Sequence, residues 1–284
     1  MERGVSFSNK NEYGRAFSET ALLLSYAGAA YALSLLILTA ATGGEFWRQF
    51  TTGAKTQSMS VAYVVTTYLL ITSSVILFRS RMRRPSPARE AFLSGDAGRA
   101  ATTGLLYGAA LFSVFFAATS PFTRPAQTGP AGEAAVHALV NIVPSLLLAF
   151  TEEFIFRGVI FEISSRSLRR TESIFMTSAL FALAHMFCHG TLLYKAVYFL
   201  NLFLMSAIFC VGTIRFRNIW FSSFMHFAFV YLILMRNYLD LFMLRPECRG
   251  IIAGFDDSPM TGLAAAAIMA VVLVFRKRIF GEEK

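Results

Sequence analysis

Long apolar runs, separated by short polar stretches, repeat along the whole chain. Eight of these runs approach the roughly 20 residues that an α-helix needs to cross the hydrocarbon core of a bilayer. Helices are the expected form of such runs, because they satisfy their backbone hydrogen bonds without water. The pattern therefore predicts an all-α, polytopic membrane protein, a bundle of about eight transmembrane helices. The predicted spans are residues 20–42, 58–78, 101–120, 134–163, 172–189, 193–214, 218–236 and 258–275.

The composition agrees with a membrane location. Of the 284 residues, 55% are hydrophobic and 15% are charged, and the mean hydropathy is +0.54. A soluble domain carries about 25% charged residues, so this composition excludes an ordinary soluble globular protein. The polar start of the chain, roughly 18 residues, predicts that there is no cleavable signal peptide.

The basic residues are distributed unevenly between the two sides of the predicted bundle. With the N-terminus inside, 18 of the 26 Lys and Arg residues fall on the inner side. Cytoplasmic loops are enriched in these residues, so we expect both termini in the cytoplasm and the plasma membrane as the location. The net charge of +9 then faces anionic lipid headgroups, and no nucleic-acid partner is expected. Arg157 lies within a span, and the outer side holds Arg48, Lys55, Arg124, Lys195, Arg236, Arg245 and Arg249.

This topology divides the chain into four segments. Gly104 and Gly108, four residues apart in the third span, predict a close contact between helices. The segments are a cytoplasmic N-terminal stretch at 1–19, helices one to three with their loops at 20–133, a core of helices four to seven at 134–236, and an external loop, last helix and cytoplasmic tail at 237–284.

The fourth span carries three charged residues in the stretch TEEFIFRGVIF. Ionisable residues at membrane depth are costly and usually functional. Glu153 and Arg157 are spaced i, i+4, so their side chains can meet and neutralise each other. Glu152 is rotated by about 100° from Glu153 and faces another direction. An isolated carboxyl group in an apolar environment is a stronger base than one in water, which suits a general base.

Two histidines share the depth of Glu152. Counted from the cytoplasmic ends of their spans at 1.5 Å per residue, Glu152 lies at ~17 Å, His185 at ~20 Å and His226 at ~12 Å. His137 and His189 fall near the outer ends instead. Either histidine alone could be a packing residue, and a Glu–Arg pair alone could be a structural staple or part of a transport route. Their coincidence on three helices favours one functional centre, in which the histidines bind a water or steady an oxyanion.

These residues also stand in three motifs that resemble a known family. EEFIFR, at Glu152–Arg157, resembles the EExxxR motif of the CPBP intramembrane endopeptidases, which include CAAX-prenyl proteases and relatives linked to bacteriocin processing and immunity. FALAH, ending at His185, resembles their FxxxH motif, and NIWFSSFMH, ending at His226, resembles their third motif. The order and spacing match over roughly residues 140–230.

The resemblance implies a membrane fold of the eight-helix type with a site that opens toward the cytosol. It implies hydrolysis of a peptide bond in a peptide or protein substrate by a glutamate-activated water. Glu152 is then the general base, His185 positions the water, His226 helps to stabilise the oxyanion, and Glu153 and Arg157 brace the site. The same glutamate and two histidines would also suit a catalytic zinc ion. We favour the interpretation without a cofactor, because a desolvated glutamate suffices.

One position departs from the family pattern. The family usually has Asn or Asp four residues after the third-motif histidine, where this chain has Val230. Valine cannot donate a hydrogen bond, and losing one oxyanion donor typically lowers the rate by about 10²–10³. Asn201, within the sixth span, is a candidate substitute.

Two other functions fit parts of the pattern. A non-catalytic membrane protein of the same fold, with a partner-binding or immunity role, would explain Val230. A transporter could use the carboxylates as a proton relay, but the chain has neither an inverted repeat nor paired broken spans. Mutation of Glu152 distinguishes these hypotheses from an endopeptidase.

Overall fold

The fold is a bundle of helices, as a computed structural model shows for residues 10–52, 57–81, 95–124, 131–186, 190–239, 241, 243–255 and 259–281. The predicted N-terminal segment up to residue 9, the basic stretch 82–94 and His189 lie outside these residues. The α-helices are α1 (Lys10–Ala41), α2 (Glu45–Thr52), α3 (Gln57–Arg81), α4 (Ala97–Thr119), α5 (Ala131–Ile155), α6 (Phe161–Ser164), α7 (Arg170–Ala184), α8 (Leu192–Phe216), α9 (Ile219–Tyr238), α10 (Leu263–Val274) and α11 (Arg276–Phe280).

Six helical stretches in the described part of the chain are long and apolar enough to cross a membrane. The all-α, polytopic prediction is confirmed, whereas six rather than the predicted eight helices of the described residues have the required length and hydropathy. Helices are present at the other two positions, but α7 has 15 residues and α10 has 12. At 1.5 Å per residue they extend ~22 Å and ~18 Å, less than a bilayer core of about 30 Å.

Both short helices are limited by their surroundings. After Ala184, the backbone turns at His185, whose N–H bonds the carbonyl of Ala182 rather than continuing the helix. α10 begins only after Gly262, where a Cβ atom would overlap with the backbone of the preceding loop. The amide of Asn201 on α8 donates to the carbonyls of Met260 (2.6 Å) and Gly262 (3.0 Å), which fixes this loop against the bundle.

One end of the bundle is rich in arginine. Arg79, at the end of α3, and Arg166, just after α6, both donate to the carboxylate of Glu162, at 2.6 and 2.8 Å. Near the start of α4, the carbonyl of Gly95 accepts from the Asn218 side chain that caps α9. The end of α8 joins the C-terminal α11, because Arg215 donates to the Phe280 carbonyl at 2.9 Å. We call this the arginine-rich end.

The opposite end is built from the other helix termini and carries fewer basic residues. Here the chain after α4 pairs with the chain after α9, since Arg124 N–H donates to the Met243 carbonyl and Thr123 forms a β-bridge with Leu244. The start of α8 at Leu192 and the loop before α10 also lie at this end. We call it the arginine-poor end.

Close packing at the centre depends on small residues, as the Gly104 and Gly108 spacing predicts. A Cβ atom at Gly104 would overlap with the Phe221 carbonyl, and one at Gly108 would lie 2.7 Å from the Met225 carbonyl oxygen. α4 and α9 therefore approach at backbone distance and hold α9, with His226, at a fixed depth.

Candidate active site

The helix that carries both glutamates changes its winding directly after them. α5 ends at Ile155 and continues as a π-helical turn, Phe156–Ile160, before α6. A π turn leaves backbone groups without their α-helical partners, and such turns are frequent at functional sites. The Gly158 carbonyl in this turn accepts from Arg79 Nη1 at 2.7 Å. The same arginine also binds Glu162, so α3 is attached to both sides of the turn.

Glu153 and Arg157 form the ion pair that their spacing predicts. Both residues are fully buried, and Arg157 Nη1 donates to Glu153 Oε1 at 2.9 Å. Arg157 Nη2 also donates to the Ser206 hydroxyl at 2.6 Å and to the Ser206 carbonyl at 3.1 Å. Charge-assisted bonds of this kind offset the loss of water around both ions. The pair thereby joins α5 to α8.

Two aromatic rings enclose the guanidinium of Arg157. Its Cζ lies 4.8 Å from the ring centre of Phe181 and 5.0 Å from that of Phe209. Both rings are almost completely buried, and a cation over a desolvated aromatic face gains about 2 kcal/mol. We call the group of Arg157, Phe181 and Phe209 the floor of the site.

Glu152 faces away from the floor and has two oxygens in different environments. Oε1 accepts a hydrogen bond from the Tyr68 hydroxyl of α3 at 3.0 Å. Oε2 is buried and has no hydrogen-bond partner in the part of the chain that the structure describes. It lies 3.6 Å from His185 Nε2 and 4.0 Å from His226 Nε2. The structure therefore brings together the three residues that the depth count grouped.

The other ring nitrogen of each histidine determines what these Nε2 atoms can do. His185 Nδ1 lies 2.8 Å from the Phe181 carbonyl oxygen, and His226 Nδ1 lies 3.0 Å from Glu153 Oε1. Carbonyl and carboxylate oxygens only accept, so each Nδ1 carries the hydrogen. In a neutral ring Nε2 is then a lone-pair acceptor, and in a protonated ring it is a second donor. Both Nε2 atoms point toward Glu152.

A cavity of about 400 Å³ opens above these groups. Glu152, His185 and His226 line it together with the Tyr68 phenol. Most other lining side chains are apolar or aromatic: Leu148, Phe181, Tyr194, Tyr198, Leu202, Met205, Phe209, Phe229, Val230, Ile233, Met260 and Thr261. Such a cavity is typical of a binding site in which a few polar groups act on a mainly apolar ligand.

Three residues differ from their sequence-based interpretation or were not singled out by it. Asn201 is not the substitute oxyanion donor, because its amide hydrogens are used by the Met260 and Gly262 carbonyls. Tyr68 was not recognised, although a phenol at mid-depth in an apolar span is a signal that could have found it. Ser206 was not recognised either, and only its contact with Arg157 reveals its role.

The donor types around Glu152 are those of catalytic zinc sites, in which His and carboxylate ligands are common. The hydrogen bonds at Nδ1 of both histidines also resemble the support that zinc-bound histidines receive. Among the residues that the structure describes, however, no three His, Cys, Asp or Glu side chains form a group arranged to hold a metal ion.

Comparison with known families agrees with the three motifs. Residues 134–232 match the family described as type II CAAX prenyl endopeptidase Rce1-like, and this segment is a domain of that family. The resemblance drawn from the sequence is thus confirmed. The matched range includes Glu152, His185 and His226, whereas Tyr68 lies outside it. No curated protein and no solved structure matches the chain.

Proposed function

Since residues 134–232 form an Rce1-like domain, we propose that the chain is an intramembrane endopeptidase that hydrolyses a peptide bond of a membrane-associated peptide or protein. The observation that carries the proposal is the free Oε2 of Glu152. This oxygen is buried, has no hydrogen-bond partner among the described residues and faces two histidine Nε2 atoms at the bottom of an apolar cavity. A base in this position can take a proton from a water held between these groups.

In the first step, a water molecule donates one hydrogen to Glu152 Oε2 and the other to the lone pair of His185 Nε2. Its oxygen attacks the carbonyl carbon of the scissile bond while its proton passes to Glu152. The new C–O bond forms as the C=O π electrons move to the carbonyl oxygen, which becomes an oxyanion. Glu152 then gives its proton to the leaving nitrogen and the C–N bond breaks. The products are a carboxylic acid and an amine.

His226 is the first candidate donor to the oxyanion. Its Nδ1–H faces Glu153 Oε1, which also accepts from Arg157. When His226 is protonated, the positive charges of Arg157 and His226 balance the negative charges of the Glu152 and Glu153 carboxylates. Its Nε2–H then points into the cavity and can donate to the oxyanion.

Tyr68 is the second candidate donor. Val230 lines the cavity but offers no hydrogen-bond donor. The Tyr68 hydroxyl lines the same cavity and bonds Glu152 Oε1 in the resting site. Once Glu152 has taken the proton from water, its oxygens attract the phenol hydrogen less, and the hydroxyl can turn toward the oxyanion. A phenol on α3 thereby replaces the side chain expected at position 230.

The proposed topology keeps eight crossings with both termini in the cytoplasm of a plasma-membrane protein. Because α7 and α10 are too short to cross the bilayer, non-helical residues after α7 and before α10 complete these two crossings. Irregular backbone is tolerated at membrane depth where it is buried in protein or lines a cavity. Met260 and Thr261, before α10, are buried and line the cavity, and His185, after α7, lies in the site.

Replacement of Glu152 by Gln tests this function directly. Purified protein in proteoliposomes is mixed with membrane proteins from cells that lack it, and new peptide termini are identified by mass spectrometry. We expect new termini with the original chain and with Glu45→Gln, a control at a glutamate of α2 whose side chain is 40% exposed. The Glu152→Gln variant should produce none. Termini that persist with this variant would contradict the mechanism, and zinc content measured on the same samples tests the metal-dependent alternative.

A non-catalytic role is the second candidate, and Val230 is the observation that favours it. In that case neither Glu152→Gln nor His185→Ala changes the cellular phenotype, and no new termini are produced by the original chain.

A transport role is disfavoured, since the buried floor residues close the cavity below Glu152.

A further inference from the structure

We propose that the substrate reaches Glu152 from the arginine-poor end of the bundle, which is the outer face of the membrane. The substrate is then a peptide segment exposed at, or anchored in, the outer leaflet. This inference rests on the proposed endopeptidase function and specifies which class of peptide the site receives. It is opposite to the cytosolic opening that the family resemblance implies.

The lining residues show the direction in which the cavity extends. On α8 they run from Phe209, beside the site, back to Tyr194 near the start of the helix. The 15 residue steps from Tyr194 to Phe209 correspond to ~22 Å along the axis. On α9, which runs antiparallel to α8, they extend from His226 forward to Ile233. Both directions lead to the arginine-poor end.

The loop before α10 confirms this direction independently of the two helices. Met260 and Thr261 line the cavity, and they belong to the segment that Asn201 holds in place. That segment lies at the arginine-poor end, next to the start of α8. His185 lies at the end of α7, so it also borders the cavity from this side, and its side chain is 29% exposed.

In the other direction the site is closed. Glu153 and Arg157 have no exposed surface, and Phe181 and Phe209 are 2% and 1% exposed. The guanidinium fills the space between the two rings. A peptide approaching from the arginine-rich end would have to displace a buried ion pair with four hydrogen bonds and ring contacts around it. Removing one partner of such a pair is strongly unfavourable.

The charge distribution assigns the two ends to the two faces of the membrane. The hydrogen bonds at Glu162, Gly95 and Phe280 join the helix termini of the arginine-rich end into one layer. Lys and Arg near span ends are retained on the cytoplasmic side. The arginine-rich end is therefore the cytoplasmic face, and the cavity opens to the other face.

The cavity also indicates which peptides fit. Among the described lining residues Glu152 is the only acidic one, and the path from the opening is bordered by Tyr194, Tyr198 and Met260. Aromatic and apolar walls favour apolar side chains next to the scissile bond. The inferred substrate class is thus an exported or membrane-anchored peptide with an apolar segment at its cleavage site.

Cysteine labelling in oriented vesicles tests the accessible face. In a background where Cys188, Cys210 and Cys248 are replaced by Ser or Ala, Tyr194→Cys reports on the cavity opening. Ser80→Cys, at an exposed position beside Arg79, reports on the arginine-rich end. A membrane-impermeant maleimide should label Tyr194→Cys in right-side-out vesicles and Ser80→Cys only in inverted vesicles. The label on Tyr194→Cys should reduce cleavage at least tenfold relative to the same variant untreated.

Labelling of Tyr194→Cys only in inverted vesicles would overturn the inference. Leu192→Cys, at a position 85% exposed at the start of α8, gives the same topological answer if the first variant does not fold. The readouts separate the two proposals. Cleavage that survives Glu152→Gln rejects the endopeptidase mechanism whatever the labelling shows, whereas loss of cleavage in that variant with labelling from the cytoplasmic face rejects only the direction of access.

Discussion

Glu152 and Glu153 are consecutive residues on one helix, yet they belong to two regions with opposite properties. Glu153 Oε1 lies at the floor and accepts from Arg157 and His226. Glu152 lies at the cavity, and its Oε2 faces the Nε2 atoms of His185 and His226. A rotation of about 100° per residue separates the two environments. The side chains are chemically identical, so their different surroundings are the basis on which we assign a structural role to Glu153 and propose a catalytic one for Glu152.

The largest expected effect on stability lies at the floor. Arg157→Met leaves the Glu153 carboxylate buried without its cation, and we expect the free energy of unfolding to fall by about 3–5 kcal/mol. The control is Arg48→Met, which removes an ion pair whose side chains are 69% and 40% exposed. Exposed pairs contribute about 0–1 kcal/mol. Denaturant unfolding in detergent measures the free energy of unfolding of both variants. Equal losses would contradict the expected difference between the buried ion pair at the floor and the exposed ion pair of α2.

The two histidines are expected to differ in the same way. His185→Ala and His226→Ala should each lower kcat by about 10²-fold, because each removes a group that acts on the water or the oxyanion. His226→Ala removes a hydrogen bond from the buried Glu153 carboxylate, whereas His185→Ala removes one to the Phe181 carbonyl from a side chain that is 29% exposed. We therefore expect His226→Ala to lose more stability, by about 1–3 kcal/mol. Parallel measurement of kcat and of unfolding would contradict this division if both variants were equally destabilised.

Tyr68→Phe tests whether a residue outside the matched domain, residues 134–232, takes part in the proposed reaction. Removing the phenol hydrogen bond should lower kcat by about tenfold with little change in KM, since one hydrogen bond contributes about 0.5–1.5 kcal/mol. Tyr63→Phe is the matched control on the same helix, because its hydroxyl bonds Tyr31 instead. An equal effect of both changes would indicate a general loss of packing in α3.

The smallest expected effect is at Val230. An asparagine here adds a donor on the cavity side, so Val230→Asn should raise kcat of the Tyr68→Phe variant severalfold, within the range of one hydrogen bond of about 1 kcal/mol. In the original chain the gain should be smaller, because Tyr68 already supplies a donor. Steady-state kinetics on the single and double variants measures this coupling, and no gain in either background would show that position 230 does not face the oxyanion.

The sequence was most informative where chemistry follows from spacing on one helix. The i, i+4 relation of Glu153 and Arg157 and the separate direction of Glu152 both follow from the helical repeat. Depth counting succeeded for His185 and His226, because membrane spans impose a common vertical scale on distant parts of the chain. The family resemblance rested on the same residues.

The remaining features depend on contacts between helices that no local pattern encodes. Tyr68 is 84 residues from Glu152 in the chain and belongs to no motif. The lengths of α7 and α10 could not be predicted from hydropathy, because apolar residues that line a cavity have the same hydropathy as apolar residues that face lipid. Asn201 was misjudged for a similar reason, since its depth did not reveal that loop carbonyls occupy its amide.

The π turn after Glu153 has a consequence for motion. Arg79 is bound to a carbonyl inside this turn and to a carboxylate just beyond it, and Arg157 within the turn is bound to α8. The segment is thus restrained from two neighbouring helices, so the glutamates keep a fixed height and direction. For the proposed access of a peptide from the arginine-poor end, we expect the opening motion to lie in the first turns of α8, so amide hydrogen exchange should be fast there and slow through Phe156–Ile160.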